Sequence, residues 1–457
     1  MKIVIAGAGF GGLKLARKLN NKKGFEIVLI DRFNHHQFQP LFYQVATAGL
    51  DASNISFPLR KVFQKSRNVK IRMAEVLQVI PDENRIITST EELTYDALVL
   101  ALGADTNFFN NEQLSGHAIP MKSTIEALQL RNRILRNFEE ALTIQDENAL
   151  QQRMNIVVVG GGPTGVELSG AIAEMKKYVL PKDYPELDFS KMKIYLLEGS
   201  GKTLASMSER SSAQSAGYLE KMSVELLTDA LVQGYDGKTV RLADGRTIES
   251  SLVIWAAGIK GNIPAGIDKS LIARGNRIIV DRYCKIQGTG NIYVIGDLAG
   301  PPLLAHKASK EGIVAAEAIS GLSSEYDVRG MPGAIFTDPE IAMVGLTEED
   351  AKAKNIEYEI GKFPFAASGR ALSALSTEGF VKLISEKSTG IVLGGHIIGE
   401  HASEMISEIT LAIEMGATIE DLALTVHPHP TLSESIMEAA EATLGKAIHM
   451  VNKKTHQ

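Results

Sequence analysis

Cysteine is almost absent: Cys284 is the only one in 457 residues. A single thiol cannot form an internal disulfide, a Cys-x-x-Cys redox pair or a cysteine metal cluster. The ten histidines show no His-Glu-x-x-His or similar spacing, so the adjacent His35 and His36 read as a solvated loop rather than a metal site. Basic charge is short, with 48 Lys and Arg against 54 Asp and Glu and a net charge of −6. That balance offers no field to attract nucleic acid or anionic lipid. No apolar run reaches the roughly 18 residues of a membrane helix. The start, Lys2 followed by a short apolar strand, lacks the longer apolar core of a secretory leader. Low-complexity and short-period repeats are missing too. The methionines are scattered like core filler, and Trp255, the lone tryptophan, reads as packing in a buried strand. What is left is a soluble, cytoplasmic globular protein, 44% hydrophobic and 22% charged, long enough for roughly three domains at about 150 residues each.

What is present is a pattern that occurs twice. Lys2–Ala6 is a buried-strand run. Gly7-Ala-Gly9-Phe-Gly-Gly12 follows, then a helical segment to Leu19 and a second strand, Glu26–Ile30, ending at Asp31. Gly7 permits a tight turn, Gly9 lets the backbone approach a pyrophosphate, and Gly12 lets helix and strand pack closely. The pyrophosphate would sit on the helix N-terminus, where free N–H groups and the dipole favour negative charge. Asp31 is placed to accept hydrogen bonds from a ribose. The unit recurs as Asn155–Val159, Gly160-Gly-Gly162-Pro-Thr-Gly165, a helix to Met175, and a strand, Lys193–Leu197, ending at Glu198. A polar insertion, Lys182–Asp188, delays the second acid. Its carboxylate would repel a 2′-phosphate, which predicts NADH over NADPH.

Two such units imply two dinucleotides, one tightly held and one exchanging. Each is followed by a strand closing in a small-residue turn, at Gly103 and at Gly258. A later strand ends in Gly296-Asp297, where a carboxylate fits a ribityl hydroxyl. The fold class is therefore α/β, two Rossmann-like dinucleotide-binding domains with one inserted in the other, plus a C-terminal α+β domain. The expected division is 1–115 with 265–325, then 116–264, then 326–457. In the last domain Ala334–Gly345 reads as a strand broken by a turn, and Thr347-Glu-Glu-Asp350 as a capping box. Gly379–Ser385 and Ile391–Ile398 read as a hairpin. Helices are expected at about 401–415 and 431–444.

Residues 1 to about 299 resemble the type II NADH:quinone oxidoreductases through Phe38-Gln-Pro-Leu-Phe-Tyr-Gln-Val-Ala-Thr-Ala48, Gly162-Pro-Thr-Gly-Val-Glu-Leu-Ser169 and Trp255-Ala-Ala-Gly258. From about Gly300 the chain is similar to the C-terminal part of dihydrolipoamide dehydrogenase. The matching segments there are Leu304-Ala-His-Lys-Ala308, Thr337-Asp-Pro-Glu340, Lys362-Phe-Pro-Phe365 and His427-Pro-His-Pro-Thr-Leu-Ser-Glu434. Together they imply a chimera joined just after the Gly-Asp strand. The resemblance implies FAD at Gly7, Gly9, Gly12, Asp31, Gly296, Asp297 and Ala305, the last opening a helix aimed at the flavin. It implies NADH at Gly160, Gly162, Gly165, Glu198 and Gly258, with Glu167 near flavin and nicotinamide. It also implies a homodimer, for which Phe363, Phe365, Ile397 and Ile398 supply apolar faces.

Two departures bear on the chemistry. The disulfide reductases carry their cysteine pair where this chain reads Gln39–Thr47 without cysteine, so the matched dyad, His429 and Glu434, has no dithiol to serve. The quinone reductases carry Ala-Gln-x-Ala-x-Gln where this chain has Ala305-His-Lys-Ala-Ser-Lys310, and the short polar tail Ala447–Lys454 replaces their membrane-binding helices. The expected function is an FAD-dependent NADH dehydrogenase passing electrons to quinone, dye or oxygen, with weak or no membrane association. The alternatives are a disulfide or lipoamide reductase-like flavoprotein without redox cysteines, and an FAD-binding dimer without significant turnover.

Overall fold

A strand that is apolar at every position must have both faces covered, and Lys2–Ala6 is such a strand. In the computed structural model, which describes residues 1–205 and 207–452, it lies at the centre of a five-stranded sheet. The order is Ile292–Val294, Ala97–Leu100, Lys2–Ala6, Glu26–Asp31, Val69–Met73, and every pairing is parallel. The two-residue side-chain period of a strand splits the core into two layers. Ile3, Ile5, Ile27 and Leu29 face Leu15, Leu19, Val314 and Ala315 on one side. Val4, Ala6, Val28 and Ile30 face Val79, Ile86 and Leu298 on the other. The first side carries the helices Phe10–Leu19 and Ala305–Ile319, and they approach each other through glycine. A Cβ on Gly312 would lie 2.5 Å from the Gly11 carbonyl oxygen. These elements belong to one compact unit, Met1–Asn137 with Ile254–Asp327.

A second unit takes Phe138–Val253 and the chain from Val328 onward. Its parallel strands Ile156–Val159, Ile194–Leu197 and Val224–Leu227 pair in sequence, with the helix Pro163–Tyr178 after the first of them. Beyond residue 330 comes a five-stranded antiparallel sheet. Its order is Gly333–Ile335, Ile341–Gly345, Val392–Ile398, Phe380–Glu386, Tyr358–Pro364. The broken strand and the hairpin expected from the sequence are both in it. Thr347 and Asp350 close the expected capping box. The helices Ala402–Met415 and Glu434–Thr443 cover one face, packing Ile406, Ile409, Ile436 and Ala439 on Ala342, Val344, Val381, Leu383 and Ile397. Lys453 and Lys454 of the polar tail lie outside the described residues. Among the described residues no helix is long and apolar enough to cross a membrane.

The residues expected to face a partner copy do not. Phe363, Phe365, Ile397 and Ile398 are each at most 1% exposed, because both faces of this antiparallel sheet are covered within the chain itself. Apolar side chains that are exposed in this region include Leu411, Met415, Leu424 and Val426, besides Leu372, Leu375, Ile448 and Val451.

The face away from these helices holds a polar pair in a dry place. His396 and Lys382 stand opposite each other across the hairpin, both buried, and Lys382 Nζ reaches Glu348 Oε1 at 2.9 Å. Burial first, and the Lys382 ammonium second, lower His396 to about 4. An unfolded histidine near 6.5 takes up its proton over a range in which the native one refuses it, so stability falls as pH drops from about 6.5 toward about 4. We expect His396→Leu to remove this loss. Relative to the variant, the parent chain should lose about 2 kcal/mol more between about pH 7.5 and about pH 5. Urea unfolding at the two pH values measures the difference, and parallel losses would show that His396 is not the titrating group.

Candidate functional site

The first glycine turn is forced by contacts that leave no room for a side chain. Gly7 has φ +106°, a Cβ on it would lie 2.1 Å from the Ala101 carbonyl oxygen, and one on Gly12 would lie 1.9 Å from that of Gly7. Gly9 is the reverse: a Cβ there would meet nothing within 4 Å. The turn is therefore packed tight at its ends and open at its middle, where a ligand's backbone could rest. Gly9 caps the helix Phe10–Leu19, and no side chain occupies the helix start.

Asp31, at the end of the neighbouring strand, binds the turn from below. Its Oδ2 accepts the N–H of Ala8 at 2.7 Å and its Oδ1 that of Phe33 at 2.8 Å. Burial raises its carboxyl despite these hydrogen bonds. Each oxygen keeps a lone pair for a further donor, so a ribose hydroxyl remains possible beside the backbone role that the sequence did not reveal. The other polar atom of Ala8, its carbonyl, takes a hydrogen bond from His36 Nδ1 at 2.9 Å. His36 is 6% exposed and packs edge-on against Phe10. The solvated loop expected at His35 and His36 is corrected to a short strand with His36 braced under the turn; burial shifts its ring below the usual histidine range.

The second turn repeats this arrangement atom for atom. Gly160 has φ +111°, and a Cβ on Gly165 would lie 1.9 Å from the Gly160 carbonyl oxygen. Gly162 faces open space and caps the helix Pro163–Tyr178 without a side-chain cap. Glu198 Oε2 accepts the N–H of Gly161 at 2.7 Å, as Asp31 does that of Ala8, and Oε1 accepts both the N–H and the hydroxyl of Ser200 at 2.7 Å. One turn into that helix, Glu167 Oε1 accepts the N–H of Phe336 at 3.1 Å. Burial pushes Glu167 up to about 7 against that hydrogen bond, into the range where a carboxyl can take up or release a proton near neutral pH.

The remaining expected residues divide between the units. Gly258 lies in the first unit at φ +88° beneath the Phe109 ring, and Trp255 beside it packs on Phe108 and donates to the Asn107 carbonyl at 3.0 Å. Gly296, Asp297 and Ala305 are also in the first unit. Asp297 Oδ2 is 3.7 Å from Lys122 Nζ, and Ala305 begins its helix. In the second unit His429 Nδ1 and Glu434 Oε1 are 2.8 Å apart. Burial works against the Glu434 carboxylate, yet the N–H of Thr431 and the His429 ring hold it below the usual range. The His429 side chain is 81% exposed in the single chain. Cys284 is buried in the first unit, and burial pushes its thiol far up. Among the described residues no three His, Cys, Asp or Glu side chains group as metal ligands. Sequence reasoning passed over His36, Arg277, Lys307 and Glu311, all buried. The signal was there for the last two, a Lys and a Glu four apart on the helix Ala305–Ile319.

Comparison with known proteins agrees with this geometry. Residues 1–312 match the family model "Pyridine nucleotide-disulphide oxidoreductase", and residues 331–440 match its dimerisation domain. The dihydrolipoyl dehydrogenase of Geobacillus stearothermophilus is 37% identical over 420 residues, 89% of this chain and 84% of that one. The type II NADH:quinone oxidoreductase Ndh of Mycobacterium tuberculosis is 33% identical over 377 residues, 78% of this chain and 80% of that one. The solved structure of NDH2 from Plasmodium falciparum in complex with NADH superposes with TM-score 0.68 at 20% identity, over 75% of this chain and 89% of that one, a likeness of fold. The expected chimera finds no support: the two likenesses cover 89% and 78% of this chain, so each runs past a join near residue 300.

The two turns make separable predictions. Gly165→Ala places a methyl group against the Gly160 carbonyl and must displace the helix start. It should weaken nucleotide binding at the second turn by about tenfold or more, a cost of about 1.4 kcal/mol or above, and leave the first turn's ligand in place; Gly12→Ala should do the opposite. Equilibrium dialysis with each nucleotide distinguishes the two, and unchanged affinities would show that the turns do not hold the ligands.

Proposed function

The chain belongs to the pyridine nucleotide-disulphide oxidoreductase family, whose cofactors are FAD and NAD(H), and on that premise we propose that it is an FAD-dependent NADH dehydrogenase delivering electrons to a quinone, a dye or oxygen. The observation that carries this reading is the pairing of two nucleotide turns of one design with a single, buried thiol. The turns provide for a donor and a flavin, whereas reduction of a disulfide by this family's route needs two cysteines beside the flavin.

In this reading Gly7, Gly9, Gly12, Asp31, Gly296, Asp297 and Ala305 hold FAD, and Gly160, Gly162, Gly165 and Glu198 hold NADH. Residues 1–115 with 265–325, 116–264 and 326–457 are the corresponding FAD, NADH and dimerisation domains. The open space at Gly9 and Gly162 fits a pyrophosphate, and the uncapped helix starts beside them supply N–H groups and positive dipole ends. Bound FAD and NADH supply the redox chemistry, two electrons moving from nicotinamide to flavin and on to the acceptor. The chain's part is orientation and charge. Asp31 and Glu198 keep the turns rigid, and the N–H of Phe336 fixes one oxygen of Glu167, leaving the other to take up or release a proton near neutral pH. The match to the dimerisation domain, with Leu411, Met415, Leu424 and Val426 exposed, supports a homodimer.

Anaerobic addition of NADH should bleach the flavin absorbance, and a steady-state panel of quinones, dyes and oxygen then identifies the acceptor. A yellow protein that does not bleach would favour a binding hybrid without turnover. His429→Ala should leave NADH reduction of ferricyanide within about twofold, since a working general base contributes about a hundredfold or more. A tenfold slower flavin reduction in an intact dimer would give the His429–Glu434 pair a chemical task.

NADH should exceed NADPH in kcat/KM by about tenfold to a hundredfold, the effect of a close like-charge contact of about 1–3 kcal/mol. Glu198→Gln keeps an acceptor for Gly161 while removing the charge, so it should narrow that ratio. Equal values in the parent chain would show that Glu198 does not meet the ribose.

A further inference from the structure

The loop Gly296–Gly300 in the first unit is held by three charged side chains that have no part in the nucleotide turns. Gly296 and Gly300 have φ +77° and +112°, and the residues between make a single tight turn closed by the Gly300 N–H on the Asp297 carbonyl at 3.3 Å. Side chains grip it as well. The Gly296 N–H donates to Glu311 Oε2 at 2.7 Å. The Asp297 carbonyl accepts from Arg277, and the Gly300 carbonyl accepts from Lys307 Nζ at 2.9 Å. Lys307 and Glu311 are themselves paired at 2.6 Å, one helical turn apart, with side chains 5% and 6% exposed, and Arg277 is 8% exposed. Taking such a pair out of water costs more, on average, than their attraction returns, and an apolar pair of similar volume usually serves stability as well or better. Their geometry serves the loop: the three groups grip the backbone before, at and after Asp297 and make no use of its carboxylate, whose Oδ2 lies 3.7 Å from Lys122 Nζ.

We propose that Glu311, Lys307 and Arg277 are positioning residues for FAD, acting through the Gly296–Gly300 loop to hold the Asp297 carboxylate where the ribityl chain binds. The proposal rests on the reading of Asp297 as a flavin contact, and the test separates the two. Apoprotein is reconstituted with FAD and the dissociation constant measured by flavin fluorescence for the parent chain, Asp297→Ala, Glu311→Leu and the double variant, with thermal unfolding of each apoprotein alongside.

The expected result is an FAD dissociation constant raised at least about tenfold by Asp297→Ala and by Glu311→Leu, with no further rise in the double variant, because residues acting through one contact are not additive. The KM for NADH should stay within about twofold. If Glu311→Leu lowers the unfolding temperature but leaves FAD affinity within twofold, or if its effect adds fully to that of Asp297→Ala, the role is structural only and the proposal is overturned. If Asp297→Ala alone leaves FAD affinity unchanged, the flavin contact is wrong and the proposal falls with it, while FAD in the heat-released supernatant would keep the wider flavoprotein reading. Should Glu311→Leu fail to fold, Glu311→Gln, which retains an acceptor for the Gly296 N–H, enters the same cycle, with a smaller rise expected and the same criterion of additivity.

Discussion

A carboxylate accepting one backbone N–H, two residues short of the helix start, is the contact on which each glycine turn depends. Asp31 makes it to Ala8 and Glu198 makes it to Gly161, both at 2.7 Å. The turn it serves cannot make that bond for itself. Its first glycine sits at positive φ, its last is pressed onto the first one's carbonyl, and its middle must stay open. An unpaired buried N–H costs about 1–3 kcal/mol, so without the acid the turn would relax toward a shape that satisfies Ala8 or Gly161 elsewhere and closes the cradle. The acid at the strand end is thus a structural member first, and its remaining lone pairs are what a ribose can use.

The same economy recurs at the loop after the Gly-Asp strand, with a different instrument. There the grip comes from a helix that packs glycine to glycine against the first one, which sets Lys307 and Glu311 at the loop's level. Close helix contact and polar bracing are linked: a side chain at Gly312 would lift the helix, and with it both charged groups, away from the backbone they bind. Packing and site geometry in this unit are therefore one constraint, applied at two distances.

Legibility in the sequence followed the range of the interaction. The parallel strands, both glycine turns, the acids closing them, the hairpin and the capping box at Thr347 and Asp350 were readable because each is local, decided by residues within a few positions of one another. The failures were all long-range. His36 belongs to the first turn through a hydrogen bond to Ala8, 28 positions away, and nothing near it in the chain announces this. Phe363, Phe365, Ile397 and Ile398 were taken for a partner-facing surface because an alternating pattern cannot tell whether the second face of a sheet is covered by its own chain. The supposed join near residue 300 came from weighing short motifs separately, when the similarity to both families continues through the point where the motifs change.

Chemistry follows from what the frame retains once its usual thiols are gone. The frame is that of a disulfide reductase family, and the His429–Glu434 hydrogen bond persists at 2.8 Å with no dithiol to give it a proton. Cys284 cannot substitute: it is buried, and burial holds it in the unreactive thiol form. In the proposed function the electrons would leave by a route that needs no covalent partner on the protein, which suits acceptors that take them from the flavin directly. Such acceptors ask little of the chain beyond access and, for a quinone, protons. Glu167, raised to about 7 by burial, is a group whose charge can change near neutral pH without disturbing either glycine turn, because its hydrogen bond runs to the Phe336 N–H and not to the turns. Rigidity at the cradles and protonic freedom at Glu167 are in this way kept on separate atoms.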